Sequence, residues 1–287
     1  MRISQKKYSV GNIDNTMAID RLKLKKLKNT RDLGGIQTAD GRIIKEGKLI
    51  RSGKLFALPK STVNKLKAAG VTTIVDLRVS AECADHPDTV MDGIDYEWCP
   101  IYTTPVPVGV YESPMRRTMK RESYRLKREF ESIDEYMIQF YRSVLNDRES
   151  QESIKSFLRI LIEEDGCILW HCASGKDRTG IISMLTEALL GVDEQTILDD
   201  YMASRKFWRS RYALNRMVLV LLPVSLKFKR ILFGFMRTKR EYLQSVIDEL
   251  KLRYGGIVGY CKTVLGVTDA DIRILKDKYL VENDEID

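Results

Sequence analysis

The chain has 287 residues, 44% of them hydrophobic and 31% charged, with a formal net charge of +8. That balance excludes wholesale disorder and a collagenous or low-complexity chain, and leaves length for one large domain or two small ones. Five cysteines without a C-x-x-C pair, and only two histidines, exclude a disulfide framework, a cysteine-rich zinc site and a histidine-based metal centre. The charge is uneven. Residues 1–31 hold nine Lys/Arg against two acids, and 205–240 hold eleven against none, whereas 32–204 and 241–287 are both net acidic. Net charge alone would admit nucleic acid, a membrane surface or an anionic substrate as partner.

Residues 1–28 read as a basic N-terminal extension. No apolar stretch precedes Lys23, so no signal peptide is visible. The longest apolar run, from Met217 to Val224 across Pro223, is far short of the ~20 residues of a membrane span. Cytoplasmic placement is expected on both grounds, with secretion by a non-cleaved route left open. Asn29–Gly35 is a turn-rich loop, and short strands are expected at 42–44 and 48–51. Pro59-Lys60-Ser61 opens a helix to Ala69 with Gly70 beyond its end, followed by a β-branched buried strand at 71–77. This helix–Gly–strand order is α/β vocabulary. Asp95–Ile101 is a further strand candidate. Helices are expected from about Glu122 to Leu145, at 151–163, from Thr179 to Leu190 with Gly191 at its end, from Asp193 through Met202, and from Thr268 or Asp269. Residues 205–255 read as helix in pieces, interrupted at Pro223.

Between the short apolar strand Cys167–His171 and the helix that follows lies His171-Cys172-Ala173-Ser174-Gly175-Lys176-Asp177-Arg178-Thr179-Gly180. A seven-residue loop of this kind can turn successive backbone N–H groups inward. With the positive end of the helix dipole it forms a cradle for a tetrahedral oxyanion. Arg178 can add a bidentate contact to two phosphate oxygens, and Cys172 at the same focus is the candidate nucleophile. Ala173, Ser174, Gly175, Lys176 and Thr179 complete the candidate phosphate-binding set, with Ser174 or Thr179 as hydrogen-bond donors to the sulfur or the phosphate. A lone cysteine before a helix is more often structural. The accompanying Arg178, Lys176 and two glycines argue against that reading. His171 is assigned to orienting the loop rather than to catalysis.

His171–Gly180 resembles the H-C-x-x-G-K-x-R-T-G signature of cysteine-dependent phosphatases. Together with Asn29–Gly35, Gly47–Gly53, Val75-Asp76-Leu77-Arg78, Glu82, Pro87-Asp88 and the segment from Tyr254-Gly255-Gly256 to Tyr279-Leu280, it is similar to the bacterial atypical tyrosine phosphatases, relatives of the dual-specificity and phosphoinositide phosphatases. The resemblance covers nearly the whole chain and is weakest at 103–130 and 205–240. It implies an α/β cysteine-phosphatase fold, with a central, mostly parallel sheet flanked by helices, and neither metal nor cofactor. It implies hydrolysis of phosphotyrosine, with phosphoserine/threonine or phosphoinositides as further substrates in some members. It also implies Asp177 as the general acid.

From the residues alone Asp76, Asp85 and Asp88 compete with Asp177 for that role. Asp76 at a strand end is the most structural in character, a candidate partner for Arg78 or Arg31. Arg31 and Asp32, and Arg51 with Ser52, are candidates to brace the loop, weighed equally against ordinary loop packing. Lys176 suits a substrate with more than one phosphate, and the related phosphoinositide phosphatases carry a lysine there. The expected organisation is one catalytic domain over 29–287, with 205–245 as a helical lid that could meet an anionic membrane or substrate. Nucleic acid is disfavoured, because the basic run at 116–128 has little aromatic interleaving. A sulfurtransferase and an RNA-end reader or processing protein are the competing classes. The first has no need of Arg178, and the second would be tested by an electrophoretic shift.

Overall fold

The computed structural model describes residues 24, 26–102, 132–221, 234 and 237–282, with 208–221 as backbone only. Residues 1–23 and 25 of the basic extension expected at 1–28, the basic run at 116–128, and residues 222–233, 235 and 236 of the lid candidate at 205–245 lie outside the described residues. The elements run β1 (Arg31–Asp32), β2 (Ile43–Ile44), β3 (Leu49–Ser52), α1 (Lys60–Ala68), β4 (Val71–Asp76), α2 (Ser80–Asp85), β5 (Asp95–Trp98), α3 (Ile133–Asn146) and α4 (Arg148–Glu163). They continue β6 (Cys167–His171), α5 (Asp177–Leu190), α6 (Glu194–Leu221), α7 (Arg240–Tyr254), α8 (Ile257–Thr263), α9 (Asp269–Tyr279) and β7 (Leu280–Val281).

The main sheet has the order β1-β3-β6-β4-β5, with only β1 antiparallel to its neighbour. β6 is its centre. Every residue of Cys167-Ile-Leu-Trp-His171 is buried, as an apolar strand between two parallel neighbours must be. Ser52 and Asp76 flank His171 in register on either side. The chain therefore leaves β6 for the loop 172–176 at the carboxyl edge of the sheet, where ligands bind in open parallel sheets. A small sheet pairs β2 with β7, which ties the last described strand back to the N-terminal part of the described chain. The larger core cluster joins the sheet to α3–α9 through Phe157, Trp170, Ile181, Leu185, Tyr242 and Ile247. The smaller one packs α1 against Ile50, Ile74 and Leu169 on the other face.

Side-chain caps start some of the described helices and left-handed glycines end others. The side chains of Ser132, Asp147 and Thr268 accept from Glu135 N, Ser150 N and Asp271 N at the starts of α3, α4 and α9. Gly191 and Gly255 end α5 and α7 in the left-handed region. Four expectations change. The loop at Asn29–Gly35 contains β1, because Arg31 and Asp32 pair with Arg51 and Ile50. Asp85 belongs to α2 rather than a free loop. The strand from Asp95 stops at Trp98. The helix expected to stop at Met202 continues to Leu221, since nothing between them breaks it. Among the described residues no helix is long and apolar enough to cross a membrane.

Candidate active site

The loop from Cys172 enters α5 at Asp177. Gly175 makes the turn possible. Its φ is +67°, and a Cβ there would stand 2.6 Å from Gly53 N and from the Ser52 carbonyl. Only glycine has the backbone freedom for that conformation at that approach. The carbonyls of Ser174 and Gly175 are turned outward, where Asn29 Nδ2 donates to them at 3.3 and 2.5 Å, and Arg51 Nη2 donates to Gly175 O at 3.3 Å. A trans peptide points its N–H opposite its C=O. The amides of Gly175 and Lys176 therefore face the inside of the loop, toward the start of α5. Cys172 is at the base of this cradle, 1% exposed, and Ala173 is exposed at its mouth.

Arg178, in the first turn of α5, is gripped bidentately by Glu82 of α2, Nη1 and Nη2 donating at 2.6 and 2.7 Å. Glu82 also accepts from Val79 N. Burial alone would raise the Glu82 carboxyl, but the charge and hydrogen bonds of Arg178 bring it below the usual range. Glu82 thus holds the guanidinium in one plane. Asp177 is 18% exposed on its side chain. Its Oδ1 accepts from the buried Tyr141 hydroxyl at 2.5 Å and stands 3.4 Å from Lys176 Nζ. Lys176 is buried, and its ammonium also donates to Arg237 O at 2.7 Å. Thr179 is buried at the start of the helix.

Two ionic clusters hold the loop from opposite sides. On one side Asp200 of α6 receives Arg31 Nε at 2.7 Å and pairs with Arg51 Nη1, while Arg31 Nη1 donates to Asn29 Oδ1 and Ser204 Oγ joins both Asn29 and Arg31. Burial raises and the two arginines lower the Asp200 carboxyl, and the arginines prevail. Burial and the neighbouring Asp200 charge push Glu187 well up. That shift favours its protonated form, and neither of its buried carboxyl oxygens has a hydrogen-bond partner. On the other side Arg78, fully enclosed, donates to Asp76 and His86 O and pairs with Asp88 at 2.9 Å. His171 Nε2 lies 2.8 Å from Asp88 Oδ2, and its Nδ1 is 3.4 Å from Cys172 O. Burial would raise Asp76, but the Arg78 hydrogen bond, with Tyr96, holds it at about 2. Ligand atoms of Asp76, Asp88 and His171 come within 4.8 Å of one another. The Arg78 guanidinium already occupies their charge, so this donor set does not fit a metal ion.

The expected residues therefore divide. Cys172–Thr179 form one cradle, and His171, Arg31, Arg51, Asp76 and Arg78 brace it. Asp76 pairs with Arg78 and not with Arg31. Asp32 does not reach the loop; its carboxylate accepts from Gly34 N and Gly47 N and shapes the turn after β1. Asp88 is pinned by Arg78, His171 and Leu55 N, and Asp85 is at the exposed end of α2. Neither Asp76 nor Asp88 has freedom to deliver a proton. Sequence alone assigns no role to Glu82, Asn29, Asp200, Tyr141 or Tyr201. Glu82 and Asn29 stood inside recognised segments. Asp200 and the two tyrosines carried no local signal.

The sequence model of the tyrosine phosphatase family matches residues 22–281. A Cupriavidus necator protein whose name assigns it to the tyrosine-protein phosphatases is 27% identical over 250 residues, 86% of this chain and 85% of that protein. A tyrosine-protein phosphatase of Nostoc commune is 28% identical over 224 residues, 74% of this chain and 67% of its own length. The triple specificity protein phosphatase PtpB of Mycobacterium tuberculosis is 26% identical over 230 residues, 74% of this chain and 83% of PtpB. Among solved structures, TpbA of P. aeruginosa superposes with a TM-score of 0.32 at 18% identity, over 60% of this chain and 80% of that one. With the family's model matched across nearly all of its length, the chain belongs to the tyrosine phosphatase family and is a phosphatase.

Proposed function

We propose that this enzyme hydrolyses phosphotyrosyl monoesters through a cysteinyl-phosphate, with Cys172 as nucleophile, Arg178 and the loop amides as the phosphate site, and Asp177 as general acid. The observation that carries the reading is the cradle itself. Cys172 and Arg178 share the N-terminal end of α5, with the Ser174 and Gly175 carbonyls turned away and Glu82 fixing the guanidinium. The thiolate attacks phosphorus, an S–P bond forms and the P–O bond to the tyrosyl oxygen breaks. Arg178 and the amides hold the charge on the equatorial oxygens. Asp177 gives its proton to the leaving oxygen. Water then attacks the S–P bond, Asp177 takes a proton from it, and inorganic phosphate leaves with Cys172 restored.

A single catalytic domain over 29–287 carries this chemistry. The bond from Lys176 Nζ to Arg237 O supports reading 205–245 as a cover over the loop. The same bond, with the approach to Asp177, engages the Lys176 ammonium inside the protein, which favours a substrate with one phosphate over a polyphosphorylated inositol lipid. The name of PtpB extends its own specificity to three classes, so broad specificity belongs in the test. Phosphate release is measured on phosphotyrosyl and phosphoseryl peptides and on phosphoinositides, beside Cys172→Ser. Fastest turnover on phosphotyrosine, lost in the variant, is expected. A preference for the lipids would replace the substrate class, and activity surviving Cys172→Ser would overturn the mechanism.

A further inference from the structure

Two fully buried phenols lie behind Asp177 and are not accounted for by phosphate binding. Tyr141 of α3 and Tyr201 of α6 place their hydroxyls 2.6 Å apart, and Tyr141 reaches Asp177 Oδ1 at 2.5 Å. Each hydroxyl owns one proton. Asp177 Oδ1 accepts the proton of Tyr141, so Tyr201 must donate to the Tyr141 oxygen, and the chain runs in one direction from Tyr201 through Tyr141 to Asp177. Burial, reinforced by the Asp177 charge, pushes both phenols well above their ordinary value, so they remain protonated donors. The rings are fixed as well. They meet edge to face with centroids 6.1 Å apart, and a Cβ at Gly180 would stand 2.9 Å from the Tyr201 ring. Lys176 Nζ is 3.4 Å from the same Oδ1.

We infer that Tyr141 and Tyr201 are positioning residues for the general acid: their hydroxyl chain occupies Asp177 Oδ1, and so assigns the transferable proton to Oδ2 and aims it at the leaving group. This rests on the reading of Asp177 as the acid. Adjacent residues of α6 then serve the two halves of the loop, Asp200 its arginine braces and Tyr201 its acid.

The test exploits leaving-group basicity. An acid matters for phenyl phosphate, whose leaving phenoxide needs a proton, and little for p-nitrophenyl phosphate, whose leaving group does not. kcat/KM, which reports the steps through loss of the leaving group and not the later hydrolysis in which Asp177 acts as base, is measured on both substrates for Tyr141→Phe, Tyr201→Phe and Asp177→Asn, and for the double variant Tyr141→Phe/Asp177→Asn. Tyr141→Phe is expected to lower kcat/KM about tenfold on phenyl phosphate with less than about twofold change on p-nitrophenyl phosphate, and Tyr201→Phe to do the same more weakly, about threefold. In the Asp177→Asn background Tyr141→Phe adds nothing further on either substrate. Equal losses on both substrates would make the tyrosines merely structural and overturn the inference. If Asp177→Asn itself shows no leaving-group dependence, the assignment of the acid fails first, and the inference with it. If Asp177→Asn shows it and both Tyr→Phe variants do not, the inference alone fails. Tyr201→Phe, one hydroxyl further away, keeps the test decisive should Tyr141→Phe fold poorly.

Discussion

Both sides of the loop 172–176 are held by buried arginines, but they are built differently. Asp76, Arg78 and Asp88 form a cluster within one short stretch of chain, which His171 joins from β6. Arg78 Nε and Nη2 return to the carboxylate two residues earlier, and its N–H does the same. The cluster of Asn29, Arg31, Arg51 and Asp200 is assembled across the chain, with Arg31 and Asp200 separated by 169 positions. The local cluster acts on the loop at its entrance, through His171. The long-range one grips the loop's carbonyls directly and so sets which way its amides face. Stability and phosphate binding are therefore expected to separate. Damage to the Asp76 side costs mainly folding free energy, and damage to the Asp200 side costs substrate affinity as well.

The largest effect is expected where two buried arginines lose their counter-charge. Asp200→Asn alone is partly offset, because Glu187 can surrender its proton and take over the charge. Asp200→Asn with Glu187→Gln removes that option and should cost about 3–5 kcal/mol in urea unfolding, clearly more than Asp200→Asn. Equal losses in the two variants would show that Glu187 carries no reserve charge.

Asp76→Asn comes next. The Asp76 carboxyl is held at about 2 in the folded protein, below the roughly 3.9 of an unfolded aspartate. A depressed carboxylate adds stability above its unfolded value, about 2–3 kcal/mol here, and that stability is lost as pH falls from about 4 toward about 2. Urea midpoints measured across that window should fall more steeply for the native protein than for Asp76→Asn. Parallel curves would remove Asp76 from the acid response.

Asn29→Ala withdraws both donors from the loop carbonyls, and Asn29 has φ +54°, a region an alanine adopts with strain. It should cost about 1–3 kcal/mol and raise KM severalfold. Glu82→Gln is the smallest in stability, under about 1 kcal/mol. Because the amide cannot grip both guanidinium nitrogens by accepting, kcat/KM should still fall about tenfold. An unchanged kcat/KM would show that Arg178 needs no clamp.

The same contrast explains what could be read in the sequence. The loop, its strand and its helix follow one another within a dozen residues, so Cys172 and Arg178 were legible from spacing and Gly175 from its chemistry. The Asp76–Arg78 pair was legible for the same reason, being two positions apart on a strand end. Asp200 was not. In sequence it is one of several acids at the start of a helix, and its role exists only because the β1–β3 pairing brings Arg31 beside Arg51 under α6. Tyr141 lies in a segment whose sequence announces only a helix. Its ring does pack in the core, and only the fold shows that its hydroxyl ends on Asp177. β1, with two residues, was too short for any periodicity to announce.

The most direct test is to quench a turnover reaction with phenyl phosphate in acid and map the peptides by mass spectrometry. The proposed mechanism predicts one phosphoryl group on the peptide carrying Cys172, at the sulfur, and none in Cys172→Ser. Turnover with no phosphoryl adduct at Cys172, together with undiminished activity in Cys172→Ser, would contradict it.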